Sequence, residues 1–316
     1  MEMLDFCVPS SDGVHDLAGK VYIPDTIPRG IVHVLHGMTE YIGRYECFMA
    51  EMAEAGYIAC GYDHLGHGNT VADASELGYV ADKDGWRLWV QDVKIFSEAV
   101  RATYGRHLPY VLMGHSMGSF IARLASVTCV RPDALILMGT GGPNPIAGVG
   151  LAVINAIKGC KGARHISSLV DDLAFGSYNK RFNEPKESKA WLSKDTAVTD
   201  AYVRDPFCNY KFTVSGMSDL VRMTVMSNKN KWFKALDQAI PVLLVSGKDD
   251  PVGDFGKGVE AVHAKLQKTG HEVICCFYDD YRHEILNDAC HDLVVKDILN
   301  FLNQTPTTIQ KETNAL

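Results

Sequence analysis

Residues 110–119, YVLMGHSMGS, restrict the fold of this chain more than any other stretch. Tyr110-Val111-Leu112-Met113 is a short apolar run, and from 117 to 130 apolar residues recur at helical spacing, so a buried strand passes directly into a helix. The join is Gly114-His115-Ser116-Met117-Gly118, a G-x-S-x-G pattern. A turn that sharp leaves no room for side chains on its flanks, which accounts for the two glycines, and it lifts the Ser116 hydroxyl above the strand end. Ser116 is therefore the candidate nucleophile, its alternative role being a simple helix cap.

The rest of the chain fits around that unit. Residues 6–8, the Ser11-Asp12-Gly13 turn and residues 18–23 read as an opening β-hairpin. Residues 31–36 (IVHVLH) run without alternation into Gly37, and such strands belong to a sheet covered on both faces. A helix over 44–56 stops at Gly56, residues 57–62 form the next buried strand, and Asp63-His64-Leu65-Gly66-His67-Gly68 is a tight turn. After an irregular stretch over 73–84, a long helix covers 86–104. Beyond the Ser116 unit, residues 134–138 are another strand. This alternation predicts a mainly parallel sheet with helices on both faces.

At Gly139 the alternation stops. Residues 142–236 contain helical pieces, notably 146–158 and 217–233, and polar connectors such as 178–188, but no buried strand. They read as a helical cap inserted into a core made of 1–141 and 237–303. The sheet pattern resumes with a strand over 240–246, a helix over 255–269, a strand over 272–278 and a last helix over 285–303. The polar stretch 304–316 is expected to fray.

Two further side chains suit the chemistry of an activated serine, which needs a base to take its proton and an acid to hold that base in one tautomer. His283 falls just past the strand ending near Tyr278, and Asp249 and Asp250 lie in the loop after the strand ending near Ser246. In an open α/β sheet functional groups gather at the carboxyl ends of strands. Either aspartate could face the histidine. The backbone amides of Met117 and Met38, the latter in the loop after residues 31–36, are placed to receive an oxyanion.

Composition narrows the partners. The 316 residues are 47% hydrophobic, ample for one large core with an insertion, and the net charge of -7 comes without a dense Lys/Arg cluster, which weighs against nucleic acid. Nine cysteines lack metal-type pairing, residues 1–13 lack a secretory pattern, and no apolar run is long enough to span a bilayer, so a cytoplasmic protein is expected. His64 and His67 beside Asp63 lack an evident third ligand and read as structural, so neither a metal nor a cofactor is expected. The apolar run 148–157 reads as cap interior, with transient contact to a membrane surface as the alternative.

The segments HGMTEYIGRY (36–45), DHLGHG (63–68) and GHSMG (114–118), the Gly247-x-x-Asp250 loop and Tyr281-x-His283 together resemble the α/β-hydrolase superfamily, and within it the monoacylglycerol lipase and lysophospholipase group, similar in turn to serine aminopeptidase-like hydrolases. The resemblance implies a triad of Ser116, Asp250 and His283, its spacing favouring Asp250 over Asp249, and an oxyanion hole at Met38 and Met117. It also places Glu40 and Arg44 beside the glycerol end of the site. A structural Glu/Arg bridge pinning the loop to its helix is the other reading of that pair. Two departures stand out: Leu65, where the family usually carries arginine, and Glu284, where some mammalian relatives have a second histidine.

The expected substrate is a small acyl ester, a monoacylglycerol or single-chain lysophospholipid, whose acyl chain enters an apolar pocket under the cap. An aminopeptidase or amidase would need a cap carboxylate for the substrate ammonium, with Asp171, Asp172, Glu184 and Glu187 as candidates. A non-catalytic receptor on the same scaffold is the alternative from another class.

Overall fold

The computed structural model describes residues 1–304; the remainder of the expected frayed tail, 305–316, lies outside the described residues. Eight strands form one sheet in the order β1-β2-β4-β3-β5-β6-β7-β8. Strands β1 (Glu2–Pro9) and β2 (Asp16–Ile23) form the antiparallel hairpin, and β2 pairs antiparallel with β4 (Ile58–Tyr62). From β4 onward every pairing is parallel, through β3 (Ile31–Leu35), β5 (Tyr110–His115), β6 (Ala134–Met138), β7 (Val242–Gly247) and β8 (Val273–Tyr278). β1 begins earlier than the apolar pattern suggests because it is an edge strand whose backbone pairing, not burial, holds Met3 and Leu4.

Alternate residues of the central strands feed two separate cores. Val32, Val34, Val111, Met113, Ile136 and Val245 face helices α1 (Glu46–Glu54) and, from the chain end, α10 (His291–Gln304). Ile31, Leu35, Leu112, Leu135, Leu137 and Leu244 face α2 (Gly85–Tyr104), α3 (Met117–Thr128) and α9 (Lys257–Lys268). Helices therefore cover both faces, as the unalternating strands required.

The chain leaves β3 for β4 on one side and returns to β5 on the other, so the topology switches direction between β3 and β5. Leu35 pairs with Gly114, which brings the two carboxyl ends level. Ligand crevices of open α/β sheets lie at such switch points, and Ser116 directly follows β5 there.

Between β6 and β7 the chain is helical: α4 (Ala147–Lys161), α5 (Ser168–Phe175), α6 (Thr196–Arg204), α7 (Val214–Ser227) and α8 (Asn230–Ala235). The single helix expected over 217–233 is two, broken at Asn228 and Lys229. Buried Arg123 of α3 explains the break, because its guanidinium caps the last carbonyl of α7 at Ser227 (2.5 Å) and reaches Gly141 O (3.3 Å). Trp232 Nε1 donates to the Arg123 carbonyl in turn, so α7 and α8 are bound against α3. The last helix starts at His291 rather than 285, since Glu284 and Asp288 spend their side chains on tertiary bonds and Asn287 spends its own on Glu284. Ile285 and Leu286 are buried in that turn, which is what imitates a helical pattern.

Candidate active site

Ser116 has φ 52° and ψ −118°, a backbone conformation that few residues other than glycine adopt. Its flanking glycines are dictated by contact: a Cβ on Gly114 would strike the Gly118 backbone, and one on Gly118 the carbonyls of Leu35 and His36. The strained turn is over-determined by its bonds. Ser116 N donates to Met138 O at 2.9 Å, and Ser119 Oγ holds the Ser116 carbonyl at 2.6 Å.

His283 and Asp250 meet in the next two loops. The imidazole Nδ1 lies 2.8 Å from Asp250 Oδ2, with both residues buried. A carboxylate can only accept, so Nδ1 carries the proton and Nε2 is left as the base. The second Asp250 oxygen takes the Val252 amide at 2.8 Å. Asp249 points elsewhere, its side chain one-third exposed and 3.8 Å from Arg181. The geometry thus brings Asp250, not its neighbour, to the histidine. A Cβ on Gly139 would come within 3.0 Å of the His283 ring, and one on Gly37 within 3.1 Å of Ser116 Cβ, so both glycines make room for the same crevice.

Met38 lies in the loop after β3, and Met117 is the first residue of α3. The loop is pinned from both ends. Asp63 accepts the Ile42 and Asn69 amides at 2.7 Å each, and Thr39, held at φ 53°, has its carbonyl bonded at 3.0 Å by Tyr202 of α6. At Leu65 the turn is tied by its backbone: Leu65 O accepts from Trp89 Nε1 at 3.0 Å.

Glu40 and Arg44 belong to a buried network. Glu40 Oε1 receives Gly37 N (2.5 Å) and the Tyr45 hydroxyl (2.8 Å), while Oε2 receives Arg44 Nη1 (3.0 Å). Arg44 also bonds Glu284 Oε1 at 3.0 Å, and Asn287 holds the other Glu284 oxygen at 2.6 Å. With Glu40 only 2% exposed, this arrangement matches the bridge reading of the pair. Burial alone would raise the Glu40 carboxyl, but the His115 hydrogen bond and the Arg44 charge outweigh it and hold it well below the usual carboxylate range.

Sequence reasoning passed over a segment that packs against the histidine loop. Leu192 O accepts both the His283 and Glu284 amides, at 2.9 and 2.8 Å, and Arg282 reaches Ala190 O at 2.5 Å. Trp191 lies with its ring 5.2 Å from that of His283. His115, the variable position of the G-x-S-x-G pattern, stacks 4.6 Å from the same imidazole. The segment 190–192 carries no sequence signal of this role, whereas His115 and Tyr45 lie inside motifs already singled out.

Comparison with known proteins shows the family and the fold. The family model Hydrolase_4, described as serine aminopeptidase, S33, matches residues 26–289. A monoacylglycerol lipase of Mycolicibacterium smegmatis is 25% identical over 93% of this chain and 98% of its own, and the human monoglyceride lipase 26% identical over 78% and 73%. Among solved structures, a thermostable carboxyl esterase of Bacillus coagulans in complex with glycerol superposes with TM-score 0.90 at 31% identity, covering 96% of this chain and 99% of that one.

Proposed function

Because the chain belongs to the serine aminopeptidase S33 family and has the α/β-hydrolase fold, we propose that it cleaves carboxylic esters through an acyl-enzyme on Ser116. The observation that carries this reading is the buried Asp250–His283 couple, 2.8 Å apart, beside a serine held at positive φ. His283 Nε2 takes the Ser116 proton as the hydroxyl attacks the ester carbonyl, and then gives it to the departing alcohol. Asp250 fixes the tautomer and stabilises the imidazolium. The amides of Met38 and Met117 receive the oxyanion. Water then repeats the sequence in reverse and releases the acid.

Residues 142–236 act as a cap over this crevice, and the substrate is a single-chain ester of the monoacylglycerol or lysophospholipid type. The names of the relatives support the former. Arg44 is the member of the 40/44 pair with residual exposure, so it is the one able to meet a head group. An amine substrate is less well served. Asp171 is paired with Lys211 at 2.9 Å and Asp172 with Lys186 at 3.2 Å, and Glu184 and Glu187 are exposed.

Ile146, Val149, Leu169 and Leu173 expose their apolar side chains in and around α4 and α5, which supports transient contact with a lipid surface. No helix among the described residues is long and apolar enough to cross a membrane. All nine cysteines are free, which fits a reducing, cytoplasmic setting.

The test is a fluorophosphonate probe applied to wild type and Ser116→Ala, with turnover of p-nitrophenyl esters from acetate to laurate. Labelling confined to wild type, with rates rising toward medium chains, is expected. A folded wild type that neither labels nor turns over would sink the hydrolase reading in favour of a receptor. Asp250→Asn is expected to lower kcat by about 10⁴-fold, by analogy with serine protease triads, and Asp249→Asn to leave it nearly unchanged.

A further inference from the structure

The imidazole of His115 is enclosed between the Ser116 turn and the histidine loop, 3% exposed, and its protonation can be worked out from its neighbours. Nε2 lies 3.2 Å from the carbonyl oxygen of His283. A carbonyl can only accept, so Nε2 bears a proton. Nδ1 lies 2.7 Å from the Tyr45 hydroxyl and 3.3 Å from Glu40 Oε1. Tyr45 has one proton to give, and its oxygen also stands 2.8 Å from Glu40 Oε1.

If Tyr45 gave that proton to Nδ1, bare lone pairs would face each other across the Tyr45–Glu40 contact. Glu40 does not supply the missing proton, because the Gly37 amide on Oε1 and the Arg44 guanidinium on Oε2 both favour its ionised form. Every short contact holds a proton in one arrangement: Tyr45 donates to Glu40, Nδ1–H to Tyr45, and Nε2–H to His283 O. Charge points the same way. Two buried carboxylates, Glu40 and Glu284, share the single guanidinium of Arg44, and an imidazolium restores neutrality.

We propose that His115 is held as an imidazolium whose Nε2–H clamps the backbone carbonyl of His283, making it a positioning residue for the base of the hydrolytic reaction. The clamp acts on the loop from the side of the Ser116 turn, while Leu192 O holds it from the inserted segment. The groups facing His115 are Tyr45, Glu40 and, more distantly, Glu284, together with His283 and His36. Burial works against the charge, and the Glu40 hydrogen bond with the Glu40 and Glu284 charges overcomes it, raising His115 above the ordinary imidazole value. As pH rises through that value Nδ1 gives up its proton and Nε2–H becomes a neutral, weaker donor to the His283 carbonyl, so the clamp loosens and kcat falls on the alkaline side.

This inference rests on the reading of His283 as the base. It is tested by ¹⁵N NMR of the full chain labelled at histidine, with His115→Gln identifying the His115 ring signals. Both ring nitrogens of His115 are expected in the protonated form at neutral pH, and one bare nitrogen would overturn the proposal. His115→Gln and Tyr45→Phe are each expected to lower kcat by about 10-fold or more with KM little changed, since small displacements of a reacting group are costly. The alkaline descent of kcat should disappear in His115→Gln. Wild-type kcat and pH profile in both variants would overturn the positioning role. Should His115→Gln fail to fold, the Tyr45→Phe kinetics and its response in the wild-type ring signals decide the matter. Failure of the hydrolase reading shows separately, as absent fluorophosphonate labelling, and leaves the ring protonation unchanged.

Discussion

Two groups of buried polar side chains lie along the same central strands and solve the same problem in opposite ways. Near β3 and β4, His33, His36, His64 and His67 pack in tilted and edge-on contacts among aromatic rings, with His36 and His64 centroids 4.1 Å apart and His67 against Trp89 and Phe212. At the carboxyl ends of β3 and β5, Glu40, Arg44, Tyr45, His115 and Glu284 form a continuous chain of charged hydrogen bonds. Burial pushes His33 and His67 down to about 3 and lowers His36 and His64 as well. His115 is as deeply buried, yet it is raised. The difference is a carboxylate at hydrogen-bond distance: His33 and His67 bond only a tyrosine hydroxyl and a backbone carbonyl, at 2.7 and 3.0 Å. A low dielectric makes an unpaired charge costly and a paired one strong, so one partner decides the sign.

Acid should separate the two groups most sharply. In the unfolded chain these four histidines take protons near 6.5, but in the folded chain they resist, His33 and His67 until about 3. Their contribution is complete above about pH 6.5 and is lost as pH falls toward 3, at about 1.4 kcal/mol per pH unit for each group. His115 has the opposite sign: its contribution is complete below the ordinary imidazole value and is lost as pH rises through its raised one. Urea unfolding from pH 7 to pH 4 should show a steep loss, and His67→Phe should shallow that slope by about 1.4 kcal/mol per pH unit below pH 6.5. A flat profile would break the contrast.

The next largest effect is expected at Glu40. Replacing it with alanine leaves Arg44 and His115 without the buried carboxylate they share and should cost about 3–5 kcal/mol in urea unfolding at pH 7. A loss under about 1 kcal/mol would mean the network is not ionised as described. The finest test is a pair of matched substitutions. Tyr45→Phe removes a hydroxyl that bridges Glu40 and His115 and should destabilise by about 1–3 kcal/mol. Tyr62 has a buried hydroxyl without a hydrogen-bond partner among the described residues, so Tyr62→Phe should be neutral or slightly stabilising. Equal effects at the two tyrosines would erase the distinction between the clusters.

Much of the site could be read from residue order. The elbow needs two glycines around one serine because strand and helix backbones nearly touch, and that demand is local. Asp250 and His283 were legible because each follows a strand end by a few residues. The choice against Asp249 came only from the spacing of the family resemblance, since adjacent side chains in a loop leave in different directions only once the turn at Gly247 is folded. Trp191 and Leu192 left no trace in the sequence. Leu192 acts through backbone bonds to a loop some ninety positions away, and any residue can offer a carbonyl, while the Trp191 ring meets that of His283 only in the folded chain. The break between α7 and α8 was hidden for a related reason: its cause, the Arg123 guanidinium, sits on another helix.

Sequence alone determined the layered α/β architecture and the identity of the nucleophile, base and acid candidates, because strand patterning and tight turns depend on near neighbours. Tertiary structure alone decided which buried groups are charged. Ionisation depends on which carboxylate lies within about 3 Å of an imidazole, and it was folding that brought Glu40 and Tyr45 to His115 and left His33 and His67 among rings and carbonyls.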